Sequence, residues 1–399
     1  MSFDVDQLPT LFVATAAATS LGARTLLGIC AAVRLRRRVP ELYDAPPISV
    51  LKPLRGAEAH LYDDLSSLLC QDYPGQWELV LGVTDPGDDA LPVARRLQRE
   101  HPHHRIVIVV GKPGAAMNPK VANLLGIAAV ARHDIWLISD SNVRARPDYL
   151  RAMVAELGAP GVGLVANIVA GDDAASLGAV LESMQLAGFI AGTVCGADML
   201  FGHVCVIGKS MLLRKRELAR LGGLQAFADV LGEDYAMGRA FAGAGMKVTI
   251  SSHIVHTTLG AWSLRSFAMR HLRWAQMRRW IAPRTFIAEP LLSPTPWLLV
   301  LAFLGGAWTS VAAIGLLWAM AIEALSARSL RGGAVRWREL GLVPVKDLAM
   351  LSFWMLAWVR RSVTWRGNHY RIGPGSVLTP VVGHATPAPI DAAPIEAAP

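Results

Sequence analysis

The sequence predicts a membrane-attached α/β protein, with a mostly parallel sheet covered by helices and with transmembrane helices toward both the N-terminal and the C-terminal end. Three observations predict it. Positions 8–33 form an apolar run of 26 residues with one charge, Arg24, long enough for the ~20 residues a membrane helix needs. Between Pro46 and Thr258 the hydrophobicity is interrupted, and short β-branched runs alternate with helix-like stretches, as in a largely parallel sheet. From Phe286 to Leu325 the chain turns apolar again, long enough for about two spans.

Composition narrows the class. Only 18% of the 399 residues are charged and 53% are hydrophobic, which excludes a disordered chain, since so much apolar side chain repays the ordering entropy. A mean hydropathy of +0.36 is high for a wholly soluble protein, in which about a quarter of residues are charged. The net charge of +8 raises the question of nucleic acid. The basic residues cluster beside apolar segments rather than with exposed aromatic platforms, so no nucleic-acid partner is expected. Cys30, Cys70, Cys195 and Cys205 form no CxxC pair, which argues against a zinc ribbon or a disulfide scaffold and suits a reducing compartment.

Residues 1–38 are expected to be an anchor with a basic flank. The run RLRRR at 34–38 places that edge on the cytoplasmic side and leaves the N-terminus, with Asp4 and Asp6, outside. A cleaved signal peptide is the rival, but it would need a basic n-region and a shorter apolar stretch. Residues 46–264 form the water-soluble domain, with strands expected at Ile48–Leu51, Trp77–Val83, Ile106–Val110, Ile135–Ile138 and Val162–Val169. Residues 265–284 read as an amphipathic interfacial helix. Residues 285–327 read as a transmembrane hairpin turning at Gly305-Gly306, which keeps the arginines of 270–284 and 328–338 on one side; a single tilted helix over 297–321 is the alternative. Residues 345–373 contain the apolar stretch Leu348–Val359, too short to span alone between Asp347 and Arg360-Arg361, and are expected to be re-entrant or interfacial. Residues 374–399, rich in Pro and Ala, read as a disordered tail.

In open sheets of this kind ligands bind beyond the carboxyl ends of the strands. Asp85 follows WELVLGV, Asp140 follows IWLIS within Asp140-Ser141-Asn142, and Glu233-Asp234 open a helix-like stretch. Each alone is an ordinary helix cap or turn former. Together they offer oxygen ligands for a hard divalent cation shared with substrate phosphates, or a carboxylate that removes a proton from a substrate hydroxyl. In SFAMRHLRWAQMRRW, Arg270 and Arg273 stand three apart beside Trp274. That run suits a helix lying on anionic lipid, and it equally suits guanidiniums aimed at a pyrophosphate leaving group.

In this order, Asp85, Asp140, Glu233-Asp234 and Arg270-x-x-Arg273-Trp274 resemble the D, D, D, (Q/R)xxRW signature of the inverting GT-A glycosyltransferases of families 2 and 21. Arginine at the first position of the last motif resembles the ceramide glucosyltransferase branch, as do SVLKPLRG, Asn118-Pro119-Lys120 before Asn123-Leu124, GGLQAFADVLGEDY, Trp365-Arg366-Gly367 and Tyr370-Arg371. The resemblance runs from about Val50 to Arg371, and hopanoid-associated bacterial glycosyltransferases share nearly the same pattern.

The resemblance implies a GT-A Rossmann-like catalytic domain over residues 46–264, a UDP-sugar donor and a membrane-lipid acceptor. Asp85 would contact the uracil or ribose, with Lys52 and Pro53 forming the first strand's loop around it, and Asn118 and Lys120 would touch the donor. Asp140 would hold Mg2+ or Mn2+ against the diphosphate. Asn142 replaces the second Asp of DxD, leaving one anionic ligand where the motif has two. Asp234 would be the general base, placed by Glu233, while Arg270, Arg273 and Trp274 stabilise departing UDP. The implied reaction is inverting transfer of glucose from UDP-glucose to ceramide, catalysed by an integral membrane enzyme with its catalytic domain in the cytoplasm, at a bacterial inner membrane or, in a eukaryote, the Golgi. Transfer of glucose or N-acetylglucosamine to a hopanoid or diacylglycerol is the alternative, and a non-enzymatic membrane adaptor the rival class.

Overall fold

Strand β1 (Ile48–Leu54) is buried along its whole length, as expected of a strand covered on both faces. In this computed structural model, which describes residues 7–332, 335–365 and 368–381, the strand lies in the middle of the parallel half of an eight-stranded sheet. The other strands are β2 (Trp77–Val83), β3 (Ile106–Val110), β4 (Ile135–Ser139), β5 (Val143–Arg144), β6 (Val162–Ala174), β7 (Ser210–Arg214) and β8 (Lys247–Gly260). Their order is β3-β2-β1-β4-β7-β6-β8-β5. From β3 to β4 the neighbours run parallel, and Ile48 faces Trp77 on one side and Ile135 on the other. Beyond β4 the register reverses: β7 is antiparallel to β4 and β6, and β5 to β8. Each of the five apolar runs expected to be a strand is one.

Parallel neighbours need crossovers, and the helices Leu61–Leu69, Ala90–Glu100 and Pro119–Ala128 supply them. Ala90–Glu100 is typical: Leu91, Ala94 and Leu97 recur at helical spacing and are buried, while its arginines take the other face. Pro119–Ala128 starts where it does because Asn118 accepts the backbone N–H groups of Lys120 and Val121, and Pro119 has no N–H to leave unpaired. Because β1, β2 and β4 are parallel, their carboxyl ends share one edge of the sheet, and the turns carrying Asp85 and Asp140 leave from it.

The chain forms two units. One comprises Arg38–Ile168, Val204–Thr258 and Ser362–Pro399; the other comprises Met1–Arg37, Val169–His203 and Leu259–Arg361. The boundaries fall inside β6 and β8, so a single soluble domain over 46–264 is not what the chain builds: Val169–His203 belongs to the second unit.

The first unit also contains a small antiparallel sheet of β9 (Ser362–Trp365), β10 (Asn368–Ile372) and β11 (Leu378–Pro380). The expected disordered tail therefore begins too early. Pro374–Ser376 forms a turn, and Val377 bridges to Val230, because the Leu231 and Leu378 N–H groups and the Ser376 and Asp229 carbonyls satisfy one another. The rest of that tail, residues 382–399, lies outside the described residues, as do Asp4, Asp6, Arg366 and Gly367.

In the second unit, four described helices are long and apolar enough to cross a membrane: Leu8–Leu35, Leu177–Phe201, Ala307–Arg331 and Trp337–Val359. A fifth candidate is the pair Pro283–Leu292 and Pro294–Phe303, bent by 50°. The expected turn at Gly305-Gly306 is present, and both glycines adopt the left-handed φ that other residues rarely take. Leu177–Phe201 has no counterpart in the sequence reading, because Glu182 and Asp198 interrupt its apolar pattern.

Those charges have partners. Arg24 pairs with Glu323, both nearly fully buried, and Arg34 pairs with Asp198. Lys346 lies 3.5 Å from Glu323 and 3.1 Å from Asp347, and Thr295 donates to Asp347 at 2.7 Å. Asp347, expected as a polar flank, and Lys346 before it are thus neutralised inside the unit, and the helix begins at Val343 rather than Leu348. A Cβ at Gly188 would stand 2.3 Å from Glu323 Oε2, so a side chain there would push the carboxylate from its present place.

Candidate active site

The turn after β4 carries Asp140, and Lys52 fastens that turn from below. Its ammonium donates to the Asp140 carbonyl at 2.9 Å and the Val143 carbonyl at 3.3 Å, and Lys52 is fully buried. This corrects the expected donor contact: Lys52 and Pro53 lie within β1, not in a loop after it, and Pro53 stands opposite Gly82. Burial pushes the Lys52 ammonium down to about 8, with Lys209 adding to the effect and Asp64 and Asp140 opposing it.

Four charged residues gather around Asp140. Lys120 lies 2.9 Å from Asp140 Oδ1 and 3.0 Å from Glu233 Oε1, and it donates to the Gly208 carbonyl at 2.8 Å. Lys209 lies 3.2 Å from Asp140 Oδ2 and donates to Asn142 Oδ1 at 2.6 Å. Asp234 accepts the Gly208 N–H and, at 2.8 Å, the Tyr235 N–H. A Cβ on Gly208 would come within 2.8 Å of Asp234 Oδ2, so the missing side chain is what lets the carboxylate approach.

The electrostatics separate the two aspartates. Burial opposes ionisation of Asp140, but Lys120 and Lys209 outweigh it and hold the carboxyl well below the usual range. Asp234 goes the other way: burial and the adjacent Glu233 raise it to about 6, against the pull of Lys120 and two backbone N–H groups. Burial alone would depress Lys120, yet Asp140, Glu233 and Asp234 hold its proton far above the ordinary lysine value. The same cluster thus favours the charged form of one carboxylate and the protonated form of the other.

Asn118 is fully buried. Besides capping its helix it donates to the Val230 carbonyl at 2.7 Å and to Glu233 Oε2 at 3.1 Å. It orients Glu233 rather than facing a donor, a correction to its expected role. Asp85 is exposed and accepts the Gly87 N–H at 2.8 Å within its own turn. Two contributors escaped the sequence reading: Lys209, within the FGHVCVIGKS segment, and the C-terminal hairpin, whose Ser376 carbonyl and hydroxyl accept the N–H groups of Leu231 and Gly232 just before Glu233.

Arg270, Arg273 and Trp274 lie in the second unit, on the helix Leu264–Ile281, which Ser263 caps by accepting the Ser266 N–H at 3.0 Å. The Arg270 guanidinium lies over Trp274 at 4.4 Å and Trp262 at 5.2 Å, and its Nε is 3.4 Å from Glu182 Oε1. His271 Nε2 is 2.6 Å from the other Glu182 oxygen. Glu182 is fully buried on Leu177–Gln185 and was not legible as a site residue. Arg273 is half-buried on the same helix.

Among the described residues, no group of three or more His, Cys, Asp or Glu side chains is placed to hold a metal by itself. The Asp140 cluster instead combines cationic and carboxylate groups suited to an anionic ligand, with a separate carboxylate suited to proton transfer.

Comparison with known proteins agrees with this chemistry. The chain is 25% identical over 359 residues to ceramide glucosyltransferase 3 of Caenorhabditis elegans, covering 87% of this chain and 77% of that protein. It is 26% identical over 351 residues to ceramide glucosyltransferase 1 of the same organism, covering 86% and 75%. Among solved structures, a mannosyltransferase from Pyrobaculum calidifontis in complex with GDP-Man and Mn2+ superposes with a TM-score of 0.52 at 18% identity, covering 88% of this chain and 98% of that one, a likeness of fold. The model of glycosyl transferase family 21 matches residues 11–378. With nearly its whole length inside that match and a GT-A fold around the Asp140 cluster, the chain belongs to glycosyl transferase family 21 and is a hexosyltransferase.

Proposed function

We propose that this enzyme transfers glucose from UDP-glucose to the hydroxyl of a ceramide-type lipid at the cytoplasmic face of a membrane, with inversion at the anomeric carbon. The observation that carries the reading is the cluster in which Lys120 bridges Asp140 and Glu233, Lys209 stands on Asp140, and the Asp234 carboxylate, drawn upward by burial and by Glu233, lies against Gly208 beside them. The names of the nematode relatives support the donor sugar and the acceptor.

Asp234 takes the proton of the acceptor hydroxyl as its oxygen attacks the anomeric carbon, and the bond to the UDP oxygen breaks in the same step. An α-linked donor then yields a β-glycoside without a covalent enzyme intermediate. Glu233, held by Asn118 and Lys120, keeps Asp234 in place and raises its affinity for the proton. Lys120 and Lys209 provide positive charge for the leaving diphosphate. Asp85 faces solvent, open to the nucleoside.

Asp140 and Asn142 fit a divalent cation shared with the diphosphate. Both offer hard oxygen ligands, the Asp140 side chain is 28% exposed, and an ammonium already stands on both residues, marking a position built for positive charge. When bound, Mg2+ or Mn2+ neutralises charge on the diphosphate. The test is to incubate the detergent-purified protein with UDP-glucose and UDP-N-acetylglucosamine against ceramide, a bacteriohopane polyol and diacylglycerol, and to weigh the products. A β-glucosylceramide supports the proposal, product from another lipid alone replaces the acceptor, and no product from any pair refutes the reading.

A further inference from the structure

The oxygens that would hold a divalent cation are already engaged. Lys209 donates to Asn142 Oδ1 at 2.6 Å and stands 3.2 Å from Asp140 Oδ2, while Lys120 takes Asp140 Oδ1 at 2.9 Å. With only 8% of its side chain exposed, Lys209 holds its charge at this position rather than spreading it into solvent. Asp140 thus faces two ammoniums, one on each carboxylate oxygen, while the neutral Asn142 side chain accepts from Lys209.

We infer that Lys209 is a displaceable occupant of the cation position, competing with the divalent ion for Asp140 and Asn142 and moving to the donor diphosphate when that anion arrives. The inference rests on the reading of Asp140 as the diphosphate end of the site. Lysine is suited to such a transfer because its ammonium is a compact charge on a flexible stem, able to change partners by rotamer. Lys120 is not equivalent: it is tied to Glu233 and the Gly208 carbonyl as well as to Asp140, so it stays.

Metal and nucleotide binding are then coupled. Without nucleotide, the ion must displace Lys209 and draw a buried ammonium away from Asp140. With a diphosphate present, Lys209 has a new partner and the Asp140 and Asn142 oxygens are released. Each ligand therefore tightens the other by the same factor, and removing the Lys209 charge weakens the coupling from its metal side.

The experiment measures Mn2+ binding to the full-length protein in detergent by electron paramagnetic resonance, with and without UDP, for the parent, Lys209→Gln and Lys209→Met. Gln keeps a donor for Asn142 and Met keeps the stem volume, so one remains if the other fails to fold. The expected result is that without UDP the variants bind Mn2+ on the order of 5- to 10-fold more tightly than the parent, and that UDP tightens Mn2+ binding less in the variants than in the parent. Unchanged or weaker Mn2+ binding by both variants overturns the inference while UDP still binds. Absence of UDP binding by the parent in either Mn2+ or chelator overturns instead the nucleotide-sugar reading on which it rests.

Discussion

Replacing Glu233 by Gln removes the like charge beside Asp234 while keeping one of the two acceptor oxygens that Lys120 and Asn118 now share between them. Asp234 is held at about 6, with burial the first cause and Glu233 the second, both upward. If it is the base, kcat/KM requires its ionised form. At pH 5 only about one-tenth is ionised, against nearly all at pH 7.5, so the parent should lose roughly tenfold in kcat/KM across that range. Without Glu233 one of the upward influences disappears, so the acid limb should move to lower pH. Asp234→Asn should abolish the limb and cost about 10²- to 10⁴-fold in rate. The stability sign follows from the same shift. A carboxyl raised above its unfolded value favours the folded state when protonated, so stability falls as pH rises from about 4 through about 6, and Asp234→Asn should flatten that fall. Initial rates of glycolipid formation from about pH 4.5 to about pH 8.5 give the profile. A limb that Glu233→Gln leaves in place, or a parent without a limb, refutes the assignment of Asp234.

Other consequences can be checked with equal directness. Arg24→Met should destabilise the helical unit by about 3–5 kcal/mol by leaving buried Glu323 without its guanidinium, and Arg24→Met/Glu323→Met should recover much of that; melting in detergent decides, and a single variant that melts with the parent defeats the argument. Truncation after Arg361 removes the hairpin that satisfies Leu231 and Gly232, so turnover should collapse; sustained turnover would show that the loop before Glu233 holds itself. Glu182→Gln weakens the charge that steadies Arg270, and kcat should drop by about 10²-fold, as when one transition-state donor is lost, while Mn2+ affinity stays put. An unchanged kcat would mean that the two tryptophans alone orient Arg270.

The strands were legible because their signal is local. ISVLKPL, WELVLGV and IWLIS are short apolar runs bounded by breakers, and a parallel order follows from the helices between them. The glycine turn at 305–306 and the long apolar helix at the N-terminus were legible for the same reason. Asp140 and Glu233-Asp234 could be found because each stands immediately after a strand or at a helix start.

Tertiary structure decided what those residues touch. Arg24 looked out of place in an apolar helix until Glu323, 299 positions away, was placed beside it. Leu177–Phe201 was hidden by Glu182 and Asp198, which interrupt its apolar pattern and pair with His271 and Arg34. Lys52 and Asn118, expected to face a donor, turned inward to hold Asp140 and Glu233, and Lys209 stands unannounced against Asp140 and Asn142. The sequence by itself determined where chain segments become helix or strand, since that depends on side chains a few residues apart. Only the folded chain decided which charges neutralise one another, because the energy of a buried charge is set by partners that the order of residues does not name.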